Sequence, residues 1–172
     1  LTKLTTAAAL ILGATVQVHA QSGYFAGKSI DVIVPFGTGG ATFVSAKFLE
    51  PYFEKHLPGN PQINVIDRPG GGSILGANWF EQNAKSDGTT ILFTTSSTAN
   101  PFVLGQKGVE YRLADYRVAY SHPFSSVAYV APSVGVTTAM DIKKASKPLL
   151  YGGIAAAASD LPALLSFEVL GL

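Results

Sequence analysis

Residues 30–42 read Ile30-Asp31-Val32-Ile33-Val34-Pro35-Phe36-Gly37-Thr38-Gly39-Gly40-Ala41-Thr42. The run from Ile30 to Val34 is rich in β-branched residues and predicts a short, largely buried strand. Pro35 has no N–H to give to a sheet ladder, so the strand ends there. Gly37, Gly39 and Gly40 let the backbone turn sharply with no side chain to hold a ligand away. From Ala41 the pattern becomes helical. A strand, a glycine turn and a helix start aim unpaired backbone N–H groups at one point, which together with the helix dipole favours an anion. The same glycines also suit a plain tight turn, and one such loop does not separate the two readings.

A second loop changes the balance. Residues 67–76, DRPGGGSILG, again run from a strand end through glycines into a predicted helix, with Ser73 as an N-cap or a hydroxyl donor. Two such loops on successive strands lie side by side at the carboxyl edge of one sheet, where open α/β sheets bind ligands. A third polar stretch, Thr95-Ser96-Ser97-Thr98, follows the next strand at the same edge. Its hydroxyls suit either an anion or ordinary capping of the following segment.

Composition narrows the classes. The chain has 172 residues, 47% hydrophobic and 13% charged, with 18 glycines. Twelve Lys and Arg face eleven Asp and Glu, so no basic excess points to nucleic acid. Any bound anion therefore needs local, fixed donors rather than bulk charge. There are no cysteines, which excludes disulfides and thiolate metal sites. His19, His56 and His122 lack metal-ligand spacing, so no metal site and no cofactor is expected.

Taken in order, residues 1–20 read as a secretory leader, with Lys3 at its start and an apolar run over residues 7–16 too short to span a bilayer. A buried N-terminal helix is the alternative. A helix is expected over residues 41–57, with Val44, Phe48, Tyr52 and Phe53 as its apolar stripe and a kink or break at Pro51. Residues 63–66 form a second strand, residues 73–84 a helix buried through Ile74, Ala77, Phe80 and Ala84, and residues 89–94 a third strand. This β-α-β-α-β order predicts a parallel sheet with right-handed crossovers. Residues 106–120 give no clear assignment. A boundary falls at residues 121–124. Beyond it, strands are expected over residues 127–130, 134–136 and 149–154, a short helix over residues 138–146, and a helix over residues 161–170. These 45 or so residues are too few to close a core, so the second unit reads as incomplete.

Four stretches together resemble the periplasmic solute receptors of tripartite tricarboxylate transporters, the Bug family. They are YFAGKSIDVIVPFGTGGAT at residues 24–42, INVIDRPGGGSILGA at 63–77, SDGTTILFTTSS at 86–97 and YGGIAAAASDLPALLSFEVLG at 151–171. The resemblance implies a two-lobed, clamshell α/β fold of the periplasmic-binding-protein type with parallel-type sheets. It divides the chain into a signal peptide (1–20), a first lobe (21–122) and the start of a truncated second lobe (123–172). It implies a periplasmic protein that is not an enzyme. Such a protein captures a small carboxylate and delivers it to the membrane subunits of the transporter. The ligand-binding residues carried over are Phe36, Gly37, Thr38, Gly39, Gly40, Ala41 and Thr42 in loop one, and Gly72, Ser73 and Gly76 in loop two. Thr95, Ser96 and Ser97 follow in loop three, with Gly153, Ser159 and Asp160 in the second lobe. Phe43 departs from the family pattern, which usually has aspartate there. The alanine-rich run at residues 155–158 departs too, and suits a ligand with an apolar or small distal end.

The rival reading is a Rossmann-type nucleotide-binding enzyme, with Gly37 and Gly39 after a strand and Asp67 at the end of the next. Against it, Thr42 stands where a third glycine is needed. A hydrolase is weaker, because Ser73, Ser96 and Ser97 lack a Gly-x-Ser-x-Gly elbow.

Overall fold

The computed structural model describes residues 23–123, 127, 129–145 and 148–171. The expected leader, residues 1–20, lies outside them, as does Phe124 in the expected boundary. The chain is a mixed α/β protein built on a three-stranded parallel sheet of order β2-β1-β3. Strand β1 is Ser29–Val34, β2 is Gln62–Asp67 and β3 is Thr90–Leu92. Ile30 pairs with Ile63, Val34 with Asp67, and Ile33 with Leu92. Asp31, half-buried on the central strand, is satisfied across the ladder by the Asn64 side-chain amide at 2.9 Å.

The alternation of β1 gives the sheet two faces. Ile30, Val32 and Val34 pack with Ile63 and Ala46 on the face covered by helix α1, Ala41–His56. Ile33 is fully buried on the other face. There helix α2, Ile74–Asn83, contributes Ile74 and Ala77 to a second cluster with Tyr111. Helix α3, Ser96–Val103, adds Phe102, stacked on Tyr111 with ring centroids 6.2 Å apart. The unassigned stretch 106–120 therefore supplies a core residue, Tyr111, and Tyr116, whose ring meets Phe80 edge-on.

Of the kink or break expected at Pro51 the break does not occur, and the expected apolar stripe of α1 is corrected. The helix runs through Pro51 as one element. Pro51 and Lys47 both lie on the exposed face, so the carbonyl that loses its N–H partner is left to water. The inward face is Phe43, Ala46 and Phe53, continued by Leu57, whereas Val44, Phe48 and Tyr52 are 57%, 64% and 51% exposed. Phe43, Ala46, Glu50, Phe53 and Leu57 follow 3-4 spacing. Glu50 interrupts the stripe with a charge and Ala46 is small enough to hide it, so the larger outward side chains imitate the core face.

The later part of the chain departs further from expectation. Among its described residues there is no strand. Residues 127, 129 and 130, and 149–154, are irregular, and Val127, Tyr129, Leu150 and Ile154 are exposed. Apolar runs of strand length need a neighbouring strand to take their backbone groups, and among the described residues none lies beside them. Val134 ends a 3-10 turn, Pro132–Val134, and the expected helix over 138–146 is a 3-10 segment, Ala139–Lys144. The last helix forms where expected, as α4, Leu161–Leu170, yet none of its residues is buried.

Gly76 is the tightest joint of the first unit. A Cβ there would meet the Arg68 carbonyl oxygen at 2.4 Å and the Pro35 Cβ at 2.7 Å. Gly76→Ala is expected to lower stability by about 1–3 kcal/mol, as overpacking of a close joint does. A urea titration followed by circular dichroism checks this through its midpoint. Burial also pushes the Tyr111 and Tyr116 phenols above their usual range, aided at Tyr116 by the nearby Glu81 charge. Unfolded phenols ionise near about pH 10. The urea midpoint is therefore expected to be insensitive to these two groups below that pH and to fall as pH rises above it, the folded state keeping protons that the unfolded chain releases.

Candidate functional site

The strand order places the three loops together. Loop one leaves the end of the central strand β1, with loop two leaving β2 on one side and loop three leaving β3 on the other. The chain reverses its direction of sheet growth between β2 and β3. The crevice between β1 and β3 is thus a topological switch point, the general ligand position of open α/β sheets.

Loop one is bare. Gly37, Gly39 and Gly40 have ordinary backbone angles, outside the left-handed region. A Cβ at Gly37 or Gly39 would meet nothing within 4 Å, and only Gly40 is confined, by the Gly37 carbonyl at 3.1 Å. Neither backbone strain nor packing explains glycine at positions 37 and 39. Thr38, Gly39 and Ala41 are exposed and Thr42 half-buried. The Gly40 amide closes the turn onto the Gly37 carbonyl at 2.9 Å. Helix α1 begins after Gly40 with no side-chain cap and no acid in its first turn, which leaves its first N–H groups without an intrahelical acceptor. Phe36 packs on the core, and so does Phe43, the residue standing where an acid was expected.

Loop two is strained. Gly70, Gly71, Gly72 and Ser73 all have positive φ, at 137°, 59°, 67° and 98°. Three glycines carry this cheaply, whereas Ser73 does so at a cost of roughly 1–3 kcal/mol. Ser73 precedes α2, but its hydroxyl makes no capping bond. Instead it is buried and accepts a hydrogen bond from the Thr98 hydroxyl at 2.9 Å. Gly72 lies under the second segment, where a Cβ would come 2.8 Å from the Ala155 methyl. Gly76 faces Pro35 and Arg68 as described, a packing position rather than an open one.

Loop three is the start of α3. Thr95 caps it, its hydroxyl accepting from the Ser97 amide at 3.3 Å. Ser96 is exposed, Ser97 buried. Thr98 is fully buried and central: it is hydrogen-bonded to the Thr94 hydroxyl and to Ser73, and its carbonyl accepts from the Tyr111 hydroxyl at 2.6 Å. Thr94 and Tyr111 escape a reading by motif, and Thr98, a hydroxyl of the third polar stretch, turns inward instead. The threonines sit inside a polar run whose outward members attract attention, and Tyr111 carries no local signal.

The second-segment residues form a separate nest. Asp160 is buried, and its carboxylate accepts from the Ile154 and Ala155 amides, both at 2.6 Å, and from the Tyr151 hydroxyl at 3.2 Å. The exposed Ser159 hydroxyl lies 3.4 Å from the same carboxylate. Gly153 is glycine because a Cβ would meet that carboxylate at 2.7 Å. Asp160 therefore organises its own loop and is not free to act as an open acceptor. Asn100 of α3 donates to the Ala158 carbonyl at 2.8 Å and ties the two segments together.

Arg68 stacks its guanidinium over Trp79, 3.8 Å from the ring centroid, and pairs with no carboxylate among the described residues. No cluster of three His, Cys, Asp or Glu suited to a metal occurs among the described residues. Also among them, no helix is long and apolar enough to cross a membrane. Comparison with protein-family models and with curated proteins finds no match for the chain.

The hydroxyl tie makes a direct prediction. Thr98→Val keeps the shape but leaves the Ser73 and Thr94 hydroxyls without their shared partner in a buried site. A loss of about 1–3 kcal/mol is expected, while Thr98→Ser recovers most of it. Chemical denaturation of the two variants side by side measures the difference.

Proposed function

We propose that the protein is a solute-binding receptor that captures a small carboxylate, of the kind that serves tripartite tricarboxylate transporters. In this reading the three loops grip one carboxylate at the switch point, and the second segment belongs to a second lobe that closes over it. The observation that carries the reading is loop one: Gly37 and Gly39 present bare backbone to open space where the fold requires no glycine. An uncapped helix start lies directly behind them.

The binding physics follows from those donors. A carboxylate meeting N–H and O–H groups already fixed by the fold forms charge-assisted hydrogen bonds with little reordering. Closure then depends only on how much better the closed form holds the ligand than the open form does. No step of bond making is needed, and the protein acts as a binder in the periplasm that hands its solute to membrane subunits.

A thermal-shift screen against small carboxylates, with NAD alongside, tests the proposal. A carboxylate at about 100 times its Kd adds roughly 2.7 kcal/mol of stability, enough to raise the Tm by several degrees. Substituting Gly39→Val, which adds bulk where nothing in the protein obstructs it, is expected to abolish that shift while leaving the ligand-free Tm nearly unchanged. A shift with NAD alone overturns the proposal in favour of a nucleotide enzyme.

A further inference from the structure

Arg68 is the first residue after β2. Its backbone is fixed from two sides. Its amide donates to the Val34 carbonyl at 2.7 Å, and its own carbonyl oxygen lies 2.4 Å from where a Cβ on Gly76 would stand. Its guanidinium carbon sits 3.8 Å from the ring centroid of Trp79, on α2. Stacking uses the face of a guanidinium and leaves its N–H donors, which lie in its plane, to other partners. Among the described residues no carboxylate comes within ion-pair reach of those donors, and the Nε is buried with no hydrogen-bond acceptor.

A buried donor without an acceptor is uncommon in native proteins, and costly where the group is charged. A guanidinium already held against a ring has also lost part of the freedom that pairing would otherwise cost. The partner that suits such a fork is a planar anion with two oxygens, which takes two parallel N–H bonds in the guanidinium plane. One positive charge, next in the chain to the exposed acid Asp67, suits a singly charged anion better than a doubly charged one. A carboxylate has that shape and that charge. The place is separate from the switch point: β2 is an edge strand, and β1 stands between it and the crevice toward β3.

We propose that Arg68, held over Trp79, is a second anion site that takes the carboxylate of a small molecule side-on. This site goes beyond the receptor reading above and stands without it.

Trp79 is the single tryptophan of the chain, so its fluorescence reports on this site directly. The purified chain is titrated with sodium acetate, with sodium chloride at matched ionic strength as reference. Acetate is expected to give a saturable change, half complete by about 10 mM, that chloride does not give. Arg68→Gln is expected to abolish the change. Arg68→Lys, which keeps the charge and loses the planar fork, is expected to weaken it at least about fivefold. The change is expected to persist in Gly39→Val, in which loop one is blocked, so it is read independently of carboxylate capture at the switch point. An equal response to chloride overturns the proposal, as does a full response in Arg68→Gln or Arg68→Lys shown folded by circular dichroism, or its loss in Gly39→Val. Inorganic phosphate saturating the signal at lower concentration than acetate overturns the assignment to a carboxylate.

Discussion

The first unit depends on how the chain leaves β2. Four successive residues with positive φ, Gly70 to Ser73, fold the backbone back so that α2 starts against the end of β1. The approach is close enough that Gly76 touches both Pro35 and the Arg68 carbonyl. Without that reversal α2 has no route to the sheet face where Ile33 lies buried. Ile74 and Ala77 then lose their place beside Tyr111. The strained member, Ser73, is held by Thr98, and Thr98 in turn by Tyr111. Strain in loop two is therefore balanced by a buried hydroxyl network anchored in loop three and in the core, so the ends of β2 and β3 are mechanically one object above β1.

That coupling explains which parts were legible from residues alone. The strand–loop–helix units could be read because Pro35, the glycine runs and the β-branched strands punctuate the chain locally. The same punctuation also gives the parallel order, since two helical crossovers admit little else. The inward face of α1 was not legible, because Glu50 and Ala46 sit on the core stripe while Phe48 and Tyr52 point outward. The role of Ser73 was half-legible: its type and position suit a cap, but its hydroxyl is claimed by a residue 25 positions away. The predicted strands after residue 123 failed for a different reason. Their apolar content is real, but a strand exists only with a neighbour, and the described chain offers none.

The loop residues divide along the same lines. Gly70, Gly71 and Gly72 are glycine for their backbone angles, Gly76 and Gly153 for close approach, and Gly37, Gly39 and Gly152 for neither. A glycine count in the sequence gives all of them one appearance. Only the geometry separates those that build the fold from those left over. Two of the three left over, Gly37 and Gly39, lie in one loop, beyond the central strand, at the switch point.

Among the described residues, the two segments meet through slender means: the Ala155 and Ala158 methyls over Gly72 and a hydrogen bond from Asn100 to the Ala158 carbonyl. Helix α4 adds no buried residue, and Leu165 and Val169 face solvent. One hydrogen bond contributes on the order of 1 kcal/mol net, so these contacts alone hold the segments in a shallow minimum. A shallow minimum is what a ligand can use. If two arrangements differ by only a few kcal/mol, any ligand touching both segments shifts the balance by its differential affinity alone. A large apolar interface between the segments would remove that sensitivity. The bare methyls beside Gly72 thus leave the adhesion between the segments weak.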